Sequence, residues 1–242
     1  DSTKGWLPVS DDAVADVPEQ PHTQKAICAY GTTGSLVSTS NLVSSSGVVA
    51  SDVTGVGTAR SALAAAGYGT DKGIYAYGLT SGLVSMSNLV SNSGVVATDV
   101  TGVGTARKIL AAAGYGVDKA IFGYGYTTTS VSMSNLVNNS GVVASDVTGV
   151  GTARYGPAAV GYGGVAAGKA IFGYGLVSSD VSMTNLVTNV GVIGTDVTGV
   201  GTARRYLGAA GYGTDKAIFA YGYAGGSVSM SNLVSNSGVV AT

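Results

Sequence analysis

Short runs of alternating apolar and polar residues recur along the chain, separated by glycine, asparagine and serine. In one copy of the pattern the runs cover residues 110–116, 120–125, 130–137 and 142–144. Runs of this length, rich in β-branched or aromatic residues and bounded by Gly and Asn, are typical of strands joined into hairpins. Because no stretch keeps a 3.6-residue period, the pattern predicts an all-β chain with almost no helix.

The four runs belong to a block that occurs five times. Its Asn-Leu-Val segment places Asn at Asn41, Asn88, Asn135, Asn185 and Asn232, with spacings of 47, 47, 50 and 47 residues. Four strands in a repeat of this length predict a five-bladed β-propeller with one blade per repeat, and a β-solenoid is the structural alternative. The predicted repeats cover about 25–51, 52–98, 99–145, 146–195 and 196–242.

The two irregular parts of the pattern lie in the fourth repeat and at the start of the chain. Three extra residues fall within 163–168, at a hairpin turn, where insertions are tolerated. The Ala-rich first strand occurs in only four repeats, so the first blade lacks it in repeat form. Residues 1–24 form an acidic, proline-containing arm outside the repeat. Either this arm supplies a degenerate strand, or the ring closes differently, or the arm binds a neighbouring subunit.

Composition narrows the classes of partner. Hydrophobic residues make up 45% of the chain but aromatic residues only 7%, and there are 39 glycines, so we expect a core of small side chains. Charged residues make up 10% and the net charge is −1, which disfavours a nucleic-acid partner. No apolar run of about 18 residues exists, so we expect no membrane span. The lone cysteine, Cys28, is predicted to be a small filler at a packed strand position.

The repeated motif resembles the kelch-type β-propeller repeat. The likeness lies in Arg107 followed by Ala111–Ala113, then Ile121–Gly125, then a crossing to Thr152-Ala153-Arg154. The resemblance implies a propeller fold and a role in protein interaction. The near-identical Ser/Thr/Gly-rich repeats are also similar to proteins of bacteriophages and environmental bacteria, in which such arrays are surface or virion components.

The chain offers little for catalysis. An active site needs titratable or nucleophilic groups in one place, and the chain has one histidine, His22 in the arm, and one cysteine. No cluster has metal-ligand spacing, and the glycines do not form a phosphate-binding pattern. We therefore expect no enzyme activity, no catalytic residue, no cofactor and no metal.

One arginine recurs near the start of four repeats, with an aspartate eight residues before it. A ring of arginines could form a central anion site, but we favour a structural role, in which each arginine binds carbonyl groups or the repeated aspartates. The Asn of Asn-Leu-Val is likewise expected to satisfy backbone groups rather than to bind a sugar. The predicted structural residues are Arg60, Arg107, Arg154, Arg204, Asp52, Asp99, Asp146 and Asp196.

The repeats differ mainly at two places, and these are the candidate binding positions. One follows the repeated arginine and the other is the loop after the second strand. Variation confined to loops of a fixed scaffold is typical of binding specificity, although relaxed constraint on exposed tips gives the same pattern. The candidates are Thr33, Thr80, Tyr126, Val177 and Tyr223 in the loop, and Lys108, Tyr155 and Tyr206 after the arginine.

Three functions fit these observations. The first is a non-enzymatic structural or interaction propeller on a virion or cell surface, with residues 1–24 contacting other protein subunits. The second is a lectin-like module with one weak glycan site per blade, which gains avidity from its copies. The third is a protein-interaction adaptor of the kelch type. The first two place the protein outside the cell or on the surface of a virion.

Overall fold

The structure is a computed structural model that describes residues 26–164 and 168–241. Fourteen β-strands form five antiparallel sheets, and none of the described elements is a helix. The all-β prediction is therefore confirmed. The arm predicted for residues 1–24 lies outside the described residues.

The strands follow one another along the chain in hairpins, and each sheet keeps its strands in sequence order. The first sheet has two strands and the other four have three, with an Ala-rich strand, an Ile-aromatic strand and an Asn-Leu-Val strand. The strands are β1 Ala26–Thr32, β2 Leu36–Val43, β3 Ala64–Tyr68, β4 Lys72–Ala76, β5 Ser87–Val90, β6 Ala111–Tyr115, β7 Lys119–Gly123, β8 Ser134–Val137, β9 Ala158–Tyr162, β10 Lys169–Leu176, β11 Asp180–Val187, β12 Gly208–Tyr212, β13 Lys216–Ala220 and β14 Ser231–Val234.

The fourth run of each repeat does not form a regular strand. In the third sheet it makes one isolated bridge, Val143 with Val137, and the segment that follows makes another, Val147 with Ser134. The chain turns at Gly141, which has φ of +81°, and the following run is too short to extend the ladder. The three extra residues of the fourth repeat lie between β9 and β10, in the hairpin that the spacing predicted.

Each sheet and its flanking segments form one unit, and neighbouring units pack face to face. The five units are residues 26–53, 58–100, 105–147, 152–197 and 202–241. The forward face of a unit contacts the next unit and its backward face contacts the preceding one. Between the second and third units, Tyr77 of the forward face meets Phe122 of the backward face edge-on, with ring centroids 5.4 Å apart. The same pair recurs at the next two junctions.

The Ala-rich strands approach one another closely because they lack large side chains. A Cβ added to Gly161 would lie 3.1 Å from the carbonyl oxygen of Gly114, which is tighter than an ordinary contact. Strands β3, β6, β9 and β12 are therefore neighbours in turn. The glycine in this strand is needed for packing rather than for a turn.

The two ends of the array are open. Tyr221 on the forward face of the fifth unit is 65% exposed, whereas Tyr77, Tyr124 and Tyr174 are fully buried. On the backward face of the first unit Val49 is 60% exposed, and Cys28 is exposed too, contrary to the packed position predicted for it. No hydrogen bond or aromatic contact joins the first and fifth sheets within residues 26–164 and 168–241, so circular closure is not seen there. In the described part of the chain no helix is long and apolar enough to cross a membrane.

Candidate functional site

A kink at the end of the middle strand directs one tyrosine of each unit toward the next. These tyrosines have positive φ, between 61° and 65°, and each precedes a glycine with φ between 110° and 120°. The hydroxyl of Tyr77 donates to the carbonyl oxygen of Val103 in the segment that leads to the following unit. Burial raises the pKa of Tyr77 and Tyr124 to about 12. The strained backbone therefore positions a buried aromatic ring at the junction between units.

The repeated arginine connects its own unit to the preceding one. Arg107 is fully buried, and its guanidinium lies 4.2 Å from the centroid of the Tyr77 ring in the preceding unit. Its Nε donates to the carbonyl oxygen of Tyr124 (2.9 Å) and its Nη1 to that of Thr105 (3.1 Å). Its Nη2 donates to Asn135 Oδ1 at 2.7 Å. Burial lowers the pKa of Arg107 from its ordinary value. Arg60, Arg154 and Arg204 stack on the preceding tyrosine in the same way.

The repeated aspartate lies beside this arginine, but it comes from later in the chain. Asp146 accepts from the backbone N–H of Thr105 (3.0 Å), from its hydroxyl (2.6 Å), and from Asn135 Nδ2 (2.9 Å). It lies 4.0 Å from Nη1 of Arg107. Burial acts to raise the pKa of Asp146, but these hydrogen bonds outweigh it and hold the pKa below its ordinary value.

The aspartate eight residues before each arginine in the sequence is not the one that lies beside that arginine in the structure. Asp99 lies eight residues before Arg107 but belongs to the preceding unit, where it accepts from Thr58 and lies 4.0 Å from Arg60. Asp196 does the same for Arg154. Asp52 accepts from Asn41 Nδ2 at 2.7 Å. All four guanidinium groups are buried and donate to carbonyl oxygens, in agreement with a structural role.

The structure brings the two variable segments together. The residue after each arginine pairs in an antiparallel bridge with a residue of the loop that follows the middle strand. Backbone bonds then connect neighbouring units: Ile109 N–H donates to Ala62, Gly156 to Ile109, and Tyr206 to Gly156, at 2.8–3.0 Å. We call the resulting array the variable row. Its bridged pairs are Ser61–Leu79, Lys108–Tyr126, Tyr155–Leu176 and Arg205–Tyr223, and Tyr206 lies beside the last of them.

The variable row is aromatic and cationic in its third to fifth units. Tyr126 and Tyr155 meet edge-on across a unit boundary, with ring centroids 5.2 Å apart. Lys108 Nζ is 6.0 Å from the centroid of Tyr126. Tyr206 and Tyr223, which are 54% and 39% exposed, flank Arg205 in the fifth unit, with ring centroids 5.5 and 4.7 Å from the guanidinium.

One side chain of this surface was missed in the sequence. Asp180, at the start of β11, accepts from Arg205 Nη1 at 2.9 Å across the boundary between the fourth and fifth units. The sequence could have identified Asp180, because the equivalent positions in other units carry the uncharged residues Leu83, Ser130 and Ser227. A single acid at that position indicates a local partner.

The remaining candidates are not bridged residues of the row, but Thr80 and Val177 directly follow two that are, Leu79 and Leu176. Thr33, Thr80 and Val177 begin tight turns in which each backbone N–H donates to the carbonyl two residues later. A separate cleft of about 160 Å³ lies at the opposite end of the Ala-rich strands, lined in part by Tyr68, Lys72, Tyr115 and Lys119. It contains none of the sequence candidates.

No protein-family model matches this sequence, and no curated protein matches it. Within residues 26–164 and 168–241, no group of three or more His, Cys, Asp and Glu side chains is arranged to hold a metal ion. The variable row is the candidate functional site because its exposed aromatic rings, cations and hydroxyl groups suit recognition of a partner surface.

Proposed function

We propose that this protein is a non-enzymatic interaction protein that presents the variable row to a partner. The observation that carries the proposal is that the positions at which the units differ form one connected, partly exposed surface. Tyrosine and arginine are the residues most enriched at the energetic centres of interfaces. The carboxylate of Asp180, which contacts this surface, is already bonded to Arg205, and this favours binding over acid–base chemistry.

The matched test compares the row with the cleft at the opposite end of the strands. Tyr155→Ala with Tyr223→Ala should weaken partner binding by tenfold or more. Lys72→Ser with Lys119→Ser, at the opposite turns, should leave binding unchanged. Binding of the fluorescently labelled protein to candidate cell or virion surfaces is the readout. Equal loss for the two double variants would contradict the proposal.

We also propose that the five units close into a five-bladed ring. The open forward face of the fifth unit and the open backward face of the first are the two halves of the junction seen between inner units. Cys28 occupies the position of Phe122, which meets Tyr77, so closure would place Cys28 near Tyr221. In a Tyr221→Cys variant, a short thiol crosslinker should then give a crosslinked monomer. Crosslinked chains of higher mass, or none, would contradict closure within one molecule.

Display on a virion or cell surface, with residues 1–24 contacting other subunits, completes the proposal. The turns support an assembly role, because each unit exposes a valine at the same place, 60–65% exposed: Val48, Val95, Val142, Val192 and Val239. Deletion of residues 1–24 should abolish self-association in sedimentation experiments while the circular dichroism spectrum is retained. Unchanged self-association would exclude this role for the arm.

A multivalent glycan-binding module is the second candidate, and the exposed tyrosines of the row favour it. Tyrosine rings stack on the apolar faces of sugars, and repeated weak sites gain avidity. Binding on a glycan array should fail when Tyr126 and Tyr223 are both changed to Ala. A silent array would count against this candidate. A kelch-type adaptor, the third candidate, would use the same row for a protein ligand.

A further inference from the structure

The side chains of the variable row contact one another across unit boundaries, and the contact differs from one boundary to the next. Between the third and fourth units, Tyr126 meets Tyr155 edge-on, with ring centroids 5.2 Å apart. Between the fourth and fifth units, Asp180 accepts from Arg205 Nη1 at 2.9 Å. The Tyr–Phe pair in the core of the junction, by contrast, is the same at the last three boundaries.

A second contact between the fourth and fifth units is a fit of size. Gly156 and Tyr206 occupy the same position in their units, both with positive φ, and the N–H of Tyr206 donates to the carbonyl oxygen of Gly156 at 3.0 Å. A Cβ added to Gly156 would lie 2.9 Å from a ring carbon of Tyr206, closer than two such atoms approach without a shift. The ring therefore lies over a position without a side chain, whereas the second and third units carry Ala62 and Ile109 there.

The common core of the junctions leaves the order of the units open to error. The forward face of the third unit carries Tyr124 and the backward face of the fifth carries Phe219, and a Tyr and a Phe in these positions meet at each of these boundaries. The fifth unit therefore has the ring it needs to pack on the third, with the 50-residue fourth block looped out. A longer loop adds little to the entropic cost of closure, and misassembly is a characteristic failure of repeat proteins.

We propose that Asp180 and Gly156 make the fourth unit the specific neighbour of the fifth, and so fix the order of the units while the chain folds. The two contacts discriminate between packings that share the same aromatic core, because specificity is a difference between two affinities. The partner recognised here is another unit of the same chain. This role uses the sides of the row that face neighbouring units, and it does not depend on the external partner proposed above for the exposed side.

Both contacts are lost when the fourth unit is skipped. The residue of the third unit that corresponds to Asp180 is Ser130, because each forms a bridge with the residue two positions after the kinked tyrosine of its unit. Arg205, whose side chain is 23% exposed, would then have no acid beside it at this position. Tyr206 would lie over Ile109, where a large side chain fills the space. The skipped packing keeps the aromatic core of the junction but loses an ion pair and crowds a ring.

The direct test moves the acid from the fourth unit to the third in the full chain. During refolding from urea, hydrogen exchange with mass spectrometry measures the fraction of chains in which residues 152–197 exchange fast while the other units are protected. This fraction should be at least threefold larger in Asp180→Ser with Ser130→Asp than in Asp180→Ser alone. Asp180→Ser with Ser130→Asn, which supplies the same shape without the charge, should match Asp180→Ser. A fraction that is no larger with Ser130→Asp, including none at all, would overturn the proposal.

The fit of size has its own test. Gly156→Ala places a methyl group under the ring of Tyr206, and Ala62, with φ of 54°, shows that alanine is accepted at this backbone position. The fast-exchanging fraction should rise at least twofold in this variant. In a chain that carries Tyr206→Ala the same change should have no effect, because the ring is no longer there. An equal effect of Gly156→Ala with and without the ring would overturn the selection by size.

The dependence on protein concentration shows whether the misplaced neighbour belongs to the same chain. Skipping within one chain should give a fast-exchanging fraction that does not change with protein concentration, and sedimentation should show no species of higher mass than in the unmodified chain. A fraction that grows with concentration, together with larger species, would mean that units of two copies had exchanged neighbours. That result would overturn selection within a single chain.

Discussion

The third and fifth units have nearly the same sequence, yet their equivalent residues have very different surroundings. Tyr124 is fully buried under the fourth unit, while Tyr221 is 65% exposed. Every nitrogen of the Arg107 guanidinium donates a hydrogen bond, whereas Nη2 of Arg204 has no partner. The burial of a residue in this array is therefore decided by the neighbouring unit as much as by its own. Stability should then behave as a sum of unit and junction contributions.

The sharpest test of this comparison is to remove the arginine from an inner unit and from the last one. Arg107→Ala leaves the carboxylate of Asp146 without its cation and opens a buried space, so we expect a loss of about 4 kcal/mol. Arg204→Ala should cost less, because no carboxylate of the described residues depends on it. The free energy of unfolding from urea titrations is the measurement, and equal losses would contradict the comparison.

The tyrosine pair gives the same contrast without a change in charge. Tyr124→Ala removes a buried ring that contacts Phe172 and Arg154, and it should cost about 3 kcal/mol. Tyr221→Ala should change the free energy of unfolding by less than about 0.5 kcal/mol if its face stays open in solution. A large loss for Tyr221→Ala would instead show that its face is covered in solution, as circular closure requires.

Two aspartates test the hydrogen bonds that surround the carboxylate beside the repeated arginine. Asp146→Asn should cost about 2 kcal/mol, because it weakens hydrogen bonds from Thr105 and removes the charge near Arg107. Asp52→Asn should cost less than about 1 kcal/mol, since Asp52 receives a side-chain bond only from Asn41 within the described residues. A larger loss at Asp52 than at Asp146 in urea titrations would contradict the geometry.

The buried-arginine aspartates also make the free energy of unfolding depend on pH in the acidic range. Asp99, Asp146 and Asp196 have pKa values held below the ordinary value by their hydrogen bonds, although burial acts in the other direction. Their contribution to stability is therefore complete above the ordinary Asp pKa of about 3.9, and it is lost as the pH falls below that value. A variant with Asn at all three positions should show a flatter loss of stability with acid. Asp118→Asn, at a partly exposed hairpin turn, is the control.

The smallest expected effect is the loss of stability at alkaline pH. The raised pKa of Tyr77 and Tyr124, about 12, means that their neutral rings stabilise the fold. This stabilisation is complete below the ordinary Tyr pKa of about 10 and is lost as the pH rises through 12. Absorbance of tyrosinate should show a set of tyrosines that titrate late, with Tyr75, Tyr77, Tyr124 and Tyr174 among them, and the late change in absorbance should fall by one tyrosine in Tyr124→Phe. A single titration near pH 10 would contradict the burial of both rings.

Much of the local structure could be predicted from the sequence. The Gly and Asn residues predicted the positions of the hairpins, and the three-residue insertion falls between β9 and β10, as expected. The differences between repeats also identified Tyr126, Tyr155 and Tyr223, which the variable row brings together. These features depend on neighbours within one repeat, where the sequence is most informative.

Relations between repeats could not be predicted in the same way. Because an aspartate recurs in each block, the sequence cannot distinguish Asp99 from Asp146 as the partner of Arg107. The exposure of Cys28 likewise depends on whether another unit covers its sheet. The fourth run looked like a strand, but its length and the turn at Gly141 reduce it to isolated bridges. Near-identical repeats make local patterns clear and leave ambiguous which copy contacts which.

The kinked tyrosine and the glycine after it give the inner junctions the same packing contacts. If a block of 47 residues were duplicated or deleted, the units brought together would therefore still have complementary faces. No new hydrophobic core would have to evolve. Genes for such chains should change their number of blocks by slipped recombination more readily than they change any one block. The number of units in the protein can in this way change by one complete unit at a time.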